Sequence, residues 1–497
     1  CPDGTTRCHS DASCIRSISG YICKCNIGYA GDGSDCGIDS DLDGWPDVDL
    51  TYCKVQDHCS ADNCPARPNS GQEDSDYDGI GDACDKIVNI YTGPTNPPVT
   101  TPLDDGFCKP RKTGSCPSTS DAWKTKDSDG DGHVDSCDNC PGVTNVDQTD
   151  SDDDLAGNAC DTDQDTDNDG VDDGVDNCIG VVNPDQSDAD YDGIGDKCDA
   201  DADDDGIPNV TDNCWLTPNP GQEDANTDGF GDVCQDDKDG DCVPDIEDIC
   251  PNISAINQDG FRVFHKVIFL VGEPAPEFII SAGGSQITQT VNSATALMYG
   301  DYSFYGVDYD GTFFIEKSDD DYAGFIFGYQ SSKKFYVVMW KRSNQTYWVG
   351  HNSMAIAGLQ LKKVHSSTGP SEFLADALWG TKTTAQVTLL WHDSSQVPWD
   401  HATSYRWQLI HRPHIGLIRF RFLTSSGIIA DSGNIYDDDI GGGRLGIYCA
   451  SQAYITWASL AYSCNDLSVP QEVYDDLPLD KQVKTEVDPS KSWSGKV

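Results

Sequence analysis

From Phe261 to Tyr462 apolar and polar residues alternate in stretches of about eight, as in Tyr405-Arg406-Trp407-Gln408-Leu409-Ile410-His411-Arg412 and Gly416-Leu417-Ile418-Arg419-Phe420-Arg421-Phe422-Leu423. A period of two with Gly and Asp between runs predicts short antiparallel strands, hence a mainly β fold built on an antiparallel sandwich with its own core. Residues 37–250 show neither this period nor a helical one. Their apolar residues stand singly among Asp, Asn, Gly and Cys, so no sizeable core is predicted there. The tail Asn465 to Val497 also lacks periodicity and is expected to be a disordered, mobile segment over 467–497. The longest apolar stretches, such as Phe335 to Trp340, are strand-sized, and no run of 18 apolar residues offers a membrane span.

Charge and cysteine usage divide the chain in the same places. Of 497 residues 85 are acidic and 32 basic, a formal net charge of −53, which excludes nucleic-acid binding through bulk charge. Residues 37–250 alone hold 56 acidic and 10 basic residues, a net of −46. Only Glu73, Glu223 and Glu247 among those acids are glutamates, whereas a solvating acidic tail mixes the two or favours Glu. Short carboxylate arms are being selected. Six cysteines lie in 1–36, fifteen in 37–250, and then none until Cys449 and Cys464. So many cysteines suit an oxidising compartment and a secreted protein. The chain opens directly on Cys1, which reads as a trimmed C-terminal portion of something longer.

The first segment spaces its cysteines as Cys1, Cys8, Cys14, Cys23, Cys25 and Cys36, and six cysteines allow fifteen pairings. The Cys-x-Cys and the following Gly28-Tyr29-Ala30-Gly31 resemble an epidermal-growth-factor-like module. That resemblance implies Cys1–Cys14, Cys8–Cys23 and Cys25–Cys36.

The middle segment repeats. Asp165-x-Asp167-x-Asp169-Gly170-x-x-Asp173-x-x-Asp176-Asn177-Cys178 recurs 36 residues later as Asp201-x-Asp203-x-Asp205-Gly206-x-x-Asn209-x-x-Asp212-Asn213-Cys214. A second variant, Asp188, Asp190, Asp192, Asp196 and Asp199, lies between them. Side-chain oxygens at positions 1, 3, 5, 9 and 12 of a twelve-residue loop, with Gly at 6 for the turn, are the ligand pattern of an EF-hand calcium loop. Hard oxygen ligands on a flexible loop favour calcium over zinc, copper or magnesium. No amphipathic helices flank the loops, which argues against a sensor that opens and closes.

Nine loops fit the pattern. The first holds Asp39, Asp41, Asp43 and Asp47; the second Asp74, Asp76, Asp78, Asp82 and Asp85; the third Asp127, Asp129, Asp131, Asp135 and Asp138. The fourth holds Asp150, Asp152, Asp154 and Asp161, the fifth to seventh are those just described, the eighth holds Asp224, Asn226, Asp228 and Asp232, and the ninth Asp237, Asp239, Asp241, Asp245 and Asp248. Leu50 at position 12 of the first loop, Leu155 in place of Gly in the fourth, Gln235 at position 12 of the eighth and Cys242 in place of Gly in the ninth should spread the affinities. Cys64 and Cys84, Cys140 and Cys160, Cys178 and Cys198, and Cys214 and Cys234 are each 20 apart, and Cys116 and Cys137 are 21 apart. Each pair would close a loop around one site, worth about 3 kcal/mol per bridge. With almost no core, calcium and disulfides take its place, and binding free energy becomes folding free energy.

Over residues 1–466 the chain resembles the C-terminal signature region of a thrombospondin. The last part carries the resemblance almost verbatim in Gly311-Thr312-Phe313-Phe314-Ile315, Asp319-Asp320-Asp321-Tyr322-Ala323-Gly324-Phe325, Gly328-Tyr329-Gln330-Ser331-Ser332 and Phe335-Tyr336-Val337-Val338-Met339-Trp340-Lys341. The family implies type 3 repeats wrapped as a calcium-laden wire around an L-type-lectin-like sandwich, and a bridge from Cys250 to Cys464. The expected division is an EGF-like module over 1–36, calcium-binding repeats over 37–250, a lectin-like sandwich over 251–466 and the tail. Residues 86–123, with Pro and Thr in place of calcium loops, form an expected linker that interrupts the repeats. Where some members carry Arg-Gly-Asp for integrins, this chain reads Gly229-Phe230-Gly231-Asp232. Pairing Cys53 with Cys59 leaves Cys108, Cys242 and Cys449 unassigned, and the odd total leaves at least one free or intermolecular thiol.

Catalytic signals are sparse: Trp391-His392-Asp393 could be a base with an orienting carboxylate, but no Gly-x-Ser-x-Gly, metal-binding His pair or phosphate loop accompanies it. Asp319, Asp320 and Asp321, with Asp308 and Asp310 nearby, would hold calcium or form a solvated turn. Val337-Val338-Met339 lies in a motif to which receptor binding in the family is attributed, yet its pattern is that of a core strand. Asn252 and Asn344 are expected glycosylation sites, whereas Asn209 also sits at position 9 of a loop. The expected protein is a secreted, non-enzymatic, calcium-binding adhesive glycoprotein of the extracellular matrix. Its partners would be cell-surface receptors and matrix proteins or glycans, with no nucleic acid and no membrane insertion, and the resemblance implies oligomerisation through a region upstream of Cys1. The alternatives are an acidic mineral-associated matrix protein without a receptor, or a glycan-binding module.

Overall fold

The computed structural model describes all residues except 1–6, 18–19, 54–58, 75–78, 86–128, 134–137, 151–153, 163, 226, 228, 236, 242–244, 246–247, 255, 257–259, 271–273, 318, 347–352, 490 and 494–497. The proposed linker over 86–123 therefore falls outside the described residues. So do Cys1, Cys108, Cys116, Cys137 and Cys242, and Asp76, Asp78, Asp127, Asp135, Asp152, Asn226 and Asp228 among the loop residues. Near the N-terminus two hairpins form, β1 (Ala12–Ser17) with β2 (Gly20–Cys25) and β3 (Tyr29–Gly31) with β4 (Cys36–Ile38). Bridges Cys8–Cys23 and Cys25–Cys36 cross them. From 39 to 263 the described residues contain turns and bends but neither helix nor strand.

The alternating sequence then forms strands in chain order: β5 (Phe264–Ile268), β6 (Phe278–Ser281), β7 (Gln286–Gln289), β8 (Ala296–Phe304), β9 (Val307–Ile315), β10 (Tyr322–Ser331), β11 (Lys334–Lys341), β12 (Gln345–Thr346), β13 (Met354–Ala355) and β14 (Gly358–His365). Helix α1 (Glu372–Trp379) precedes β15 (Val387–His392), β16 (Ser404–Arg412), β17 (Leu417–Thr424), β18 (Gly427–Asp431), β19 (Ile435–Tyr436), β20 (Gly443–Ala450) and β21 (Ile455–Cys464). Two antiparallel sheets result. One runs β15-β14-β11-β10-β20-β8-β5, and the other runs β18-β17-β16-β9-β21-β7-β6 with β19 beside β17. Between them lies an aromatic core that includes Phe313, Phe325, Trp340, Trp407, Phe422 and Trp457.

Strict alternation predicts one wet face per sheet, but β10 and β20 are buried at every position. The reason is a second apolar layer. Helix α1, capped by the Ser371 hydroxyl accepting from the Leu374 amide at 3.2 Å, lays Leu374, Leu378 and Trp379 on the outer face of the seven-stranded sheet. In β11 Val338 therefore points between the sheets while Val337 and Met339 point under α1, and all three have no exposed surface. The Lys362 ammonium, wholly buried, donates to the carbonyls of Leu378 and Gly380 at the end of this helix. Burial pushes it down to about 7.

The outer face of the eight-stranded sheet is covered differently, and here the expectation of a disordered tail over 467–497 is corrected. Residues 468–493 include β22 (Ser468–Val469), α2 (Gln471–Asp475), α3 (Leu479–Gln482) and β23 (Glu486–Val487), with β22 parallel to β23. Val469, Val473, Leu477 and Trp493 pack on Ile410, Ile415 and Leu417. Trp493 donates its indole N–H to Asp431 at 3.0 Å, and its ring lies under the Arg421 guanidinium, 4.2 Å from the centroid. Scattered single apolar residues can dock on a preformed sheet without any period of their own, which is why the pattern did not announce them. Trp493→Ala should cost roughly 3 kcal/mol. Thermal denaturation in saturating calcium measures this, and an unchanged midpoint would mean that the tail does not hold to the sheet in solution.

Candidate metal centres

Where the structure describes them, the acidic loops are tight turns whose amides point at their own carboxylates. Residue 6 takes a left-handed conformation, as at Gly170 (φ 92) and Gly206 (φ 93), and its amide donates to the second oxygen of residue 1. Those contacts are 2.9–3.2 Å at Asp74, Asp165, Asp188, Asp201 and Asp224. Leu155 keeps the same contact, 3.0 Å to Asp150, by adopting φ 78, a strained conformation for a branched side chain. The residue-6 contact is thus kept at Leu155 without glycine.

Two further contacts recur at each long repeat. The residue-5 carboxylate accepts from an asparagine amide: Asn69 to Asp43, Asn145 to Asp131, Asn183 to Asp169 and Asn219 to Asp205, at 2.7–2.9 Å. The glutamine three residues after each asparagine is the clasp. Gln148, Gln186 and Gln222 donate through Nε2 to Oδ1 of Asp138, Asp176 and Asp212 at 2.7–2.9 Å, while their Oε1 accepts from the amides of Asn139, Asn177 and Asn213 at 2.9–3.0 Å. Beneath each clasp lies a disulfide: Cys64–Cys84, Cys140–Cys160, Cys178–Cys198 and Cys214–Cys234. Cys53 joins Cys59, and Cys250 joins Cys464. Cys449 is free and buried among apolar side chains, its thiol pushed up to about 12, so it is protected from oxidation.

The carboxylates converge. Oxygens of Asp39, Asp41 and Asp43, of Asp129, Asp131 and Asp138, of Asp165, Asp167 and Asp169, of Asp188, Asp190 and Asp192, and of Asp201, Asp203 and Asp205 lie within 4.8 Å of one another in each group. Residue 9 lies on the return limb of the loop. Asp47, Asp173, Asp196, Asn209, Asp232 and Asp245 each accept from the amide of residue 2 at 2.8–3.0 Å, bracing the loop. At Asn209 the amide nitrogen is also engaged, donating to Asp199 O at 3.2 Å.

What remains decides the chemistry. Among the converging side chains, buried oxygens on Asp41, Asp138, Asp167, Asp201, Asp203, Asp212, Asp224 and Asp239 have no hydrogen-bond partner. A buried, unpaired carboxylate oxygen is costly, and several facing one point are costlier. Burial foremost, then the neighbouring carboxylates, push Asp239 up to about 8, and burial is the leading cause that takes Asp169 to about 7 and Asp39, Asp203 and Asp248 to about 6. Asp41 and Asp43 are raised together for the same reasons. An oxygen-only set of this size and charge fits a hard divalent cation of calcium's radius.

Other acidic and catalytic candidates are accounted for by the chain itself. Asp321 pairs with the buried Lys341 ammonium at 2.6 Å, Asp308 with Arg412 at 2.6 Å, and Asp310 with Arg406. His392 faces the Ala357 carbonyl at 2.9 Å, while Asp393 accepts from the amides of Ser395 and Val397. Asp393 thus caps a turn.

A profile of the thrombospondin C-terminal region matches residues 273–466, that of the thrombospondin type 3 repeat matches 73–86, 116–148, 149–186, 187–222 and 223–258, and that of the EGF domain matches 1–36. Residues 37–72, which include the first loop, lie between matches. Cartilage oligomeric matrix protein of Mus musculus is 47% identical over 95% of this chain and 69% of its own length, and that of Homo sapiens is 46% identical. Thrombospondin-2 of Mus musculus is 44% identical over 94% of this chain but only 44% of its own length. Peanut lectin with a nine-residue peptide covers 40% of this chain at 10% identity with a TM-score of 0.23, too loose a likeness to carry an argument.

The raised carboxyls predict a proton linkage. A carboxyl whose pKa is higher folded than unfolded binds more protons in the fold, so its favourable contribution is complete near pH 4 and is lost as pH rises through the folded pKa, here about 6 to 8. A bound cation reverses this preference by requiring the ionised form. Calcium binding near pH 7 should therefore release protons, and affinity should fall from pH 8 to pH 6. Calorimetry in two buffers of different ionisation enthalpy measures the release; identical heats in both would contradict it.

Proposed function

The chain belongs to the thrombospondin family and is not an enzyme, and on that premise we propose that it is a secreted calcium-loaded glycoprotein that joins cells to the extracellular matrix. The observation that carries this reading is the recurrence of converging carboxylates, several of which carry partnerless buried oxygens. In the proposed sites residues 1, 3, 5 and 12 hold the ion and residue 9 braces the loop. The repeats over 37–250 and the sandwich over 251–466 act as one body, because position-4 carbonyls dock on the sheets. Asn168 O accepts from Gln330 Nε2 at 2.7 Å and from the Gly441 amide at 3.1 Å. The bridge Cys250–Cys464 ties the end of the repeats to the end of β21.

The proposed partners are cell-surface receptors and matrix proteins. The Val337-Val338-Met339 segment has no exposed surface, so a receptor contacts this protein elsewhere. N-linked glycans fit Asn252 and Asn344, both exposed. Asn344 is held through Oδ1, which accepts from the Ala357 amide at 2.8 Å, while the glycan attaches at Nδ2. Cell attachment to surfaces coated with the chain tests the adhesive role. Attachment should be retained in calcium and fall to background in magnesium with a calcium chelator; background attachment in both conditions would refute it.

A further inference from the structure

Beneath the end of the tail, three strands of the eight-stranded sheet form a socket for a single side chain. Gln408 on β16 pairs in register with Arg421 on β17, and Arg421 with Asp431 on β18, so the three stand in one cross-strand row. Phe420 and Phe422 point into the core between the sheets, which turns their neighbours Arg419 and Arg421 outward. These side chains hold one another. Arg421 Nε donates to Gln408 Oε1 at 2.8 Å, and Arg419 donates to both oxygens of Asp431 from Nε and Nη2, each at 3.2 Å. The Gly433 amide adds a bond of 2.9 Å to Asp431 Oδ1. None of these contacts involves the tail, so the socket is preorganised for whatever fills it.

Trp493 fills it here. The Arg421 guanidinium lies 4.2 Å from the indole centroid and that of Arg419 5.6 Å, the indole N–H donates to Asp431 Oδ2 at 3.0 Å, and the Trp493 carbonyl accepts from Arg421 Nη1 at 2.5 Å. Cations for a ring face combined with a carboxylate for a ring N–H select tryptophan, since phenylalanine has no such donor. The match is nevertheless incomplete. Arg421 is 3% exposed, and its hydrogen bonds go to a neutral amide and a neutral carbonyl, with no carboxylate partner among the described residues. Burial pushes it down to about 10. Arg419, by contrast, has Asp431 and also Asp476 of the tail, at 2.9 Å. A buried guanidinium without a carboxylate is the costly member of the pair.

The occupant is held by few contacts. Beyond Leu477 the tail adds only Trp493 to the apolar cluster on this face. Its last limb is tied by the short pairing of β22 with β23, by Lys491 on Asp308, and by Glu472, which accepts from the Trp493 amide and the Ser492 hydroxyl at 3.1 Å each. The thrombospondin C-terminal profile ends at residue 466, and Gln408, Arg419, Arg421 and Asp431 all lie inside it. The socket therefore belongs to the sandwich and its occupant to the tail.

We propose that this socket docks a tryptophan with a carboxylate beside it, on a segment of another protein, and that Trp493 is a resident stand-in which such a segment displaces. The added carboxylate pairs with Arg421, which the tail leaves without one. A fluorescein-labelled peptide of residues 489–493, ending in the free carboxylate of its tryptophan, is the probe, read by anisotropy with the whole chain in calcium. The Trp493→Ala chain, with its socket empty, should bind the peptide about tenfold more tightly than the unmodified chain does. An amide at the end of the peptide should weaken this binding about tenfold, and phenylalanine in place of its tryptophan should abolish it. Arg421→Gln in the Trp493→Ala chain should erase the difference between acid and amide. Glu472→Gln keeps every apolar anchor and frees only the last limb, so it should bind with intermediate affinity and serves if Trp493→Ala does not fold. Equal affinity for the unmodified chain and the variants, no binding to a folded variant, or binding indifferent to the indole or the end group overturns the proposal. Self-association of the unmodified chain that Trp493→Ala abolishes, measured by sedimentation, would give the socket to the tail of a second copy and overturn the choice of partner.

Discussion

Mutual repulsion among buried carboxylates is the constraint on which the rest of the structure depends. Residues 37–250 carry a net charge of −46 and fold into turns that bring those charges together. The backbone supplies part of the compensation, through amides aimed at residues 1, 5 and 12, and the glutamine clasps supply more. What the chain leaves unanswered are buried carboxylate oxygens at residues 1, 3 or 12 of several loops, as at Asp41, Asp138, Asp167, Asp201 and Asp212. Disulfides stiffen this arrangement but add no positive charge. Only cations can finish it.

The sandwich obeys the opposite rule, since its cohesion is apolar, and it serves as the template. Its outer faces are nevertheless not free to face water. One is covered by α1, the other by the tail and by the first acidic loop, so both sheets are buried on both sides over much of their area. The contacts between the two regimes include backbone carbonyls at positions 4 and 5 of the loops, which accept from side chains such as Thr312, Ser459 and Gln330. A loop that holds its shape presents its carbonyl correctly; a loop that opens loses the contact.

Most of this was legible where a period or a spacing existed. The 36-residue repeat located the loops, the spacing of 20 between cysteines located four bridges, and the alternation located the sheets. Two features escaped the reading of the pattern. Leu50 stands at position 12 of the first loop, yet it is the amide of Asp62, twelve residues farther on, that meets the carbonyl of Pro46 at position 8. The tail docks through four apolar residues with no regular spacing. A signal for Asp62 did exist: the triplet Asp62-Asn63-Cys64 repeats Asp176-Asn177-Cys178, and aligning the repeats on that triplet rather than on the first Asp would have found it.

The central claim is that cations stand in for the core that residues 37–250 lack. Small-angle scattering on the whole chain, in calcium and after chelation, tests it most directly. Removing the ions should return the carboxylates to repulsion, increasing the radius of gyration and lengthening the largest dimension while the sandwich stays folded. A radius that is the same with and without calcium would contradict the account.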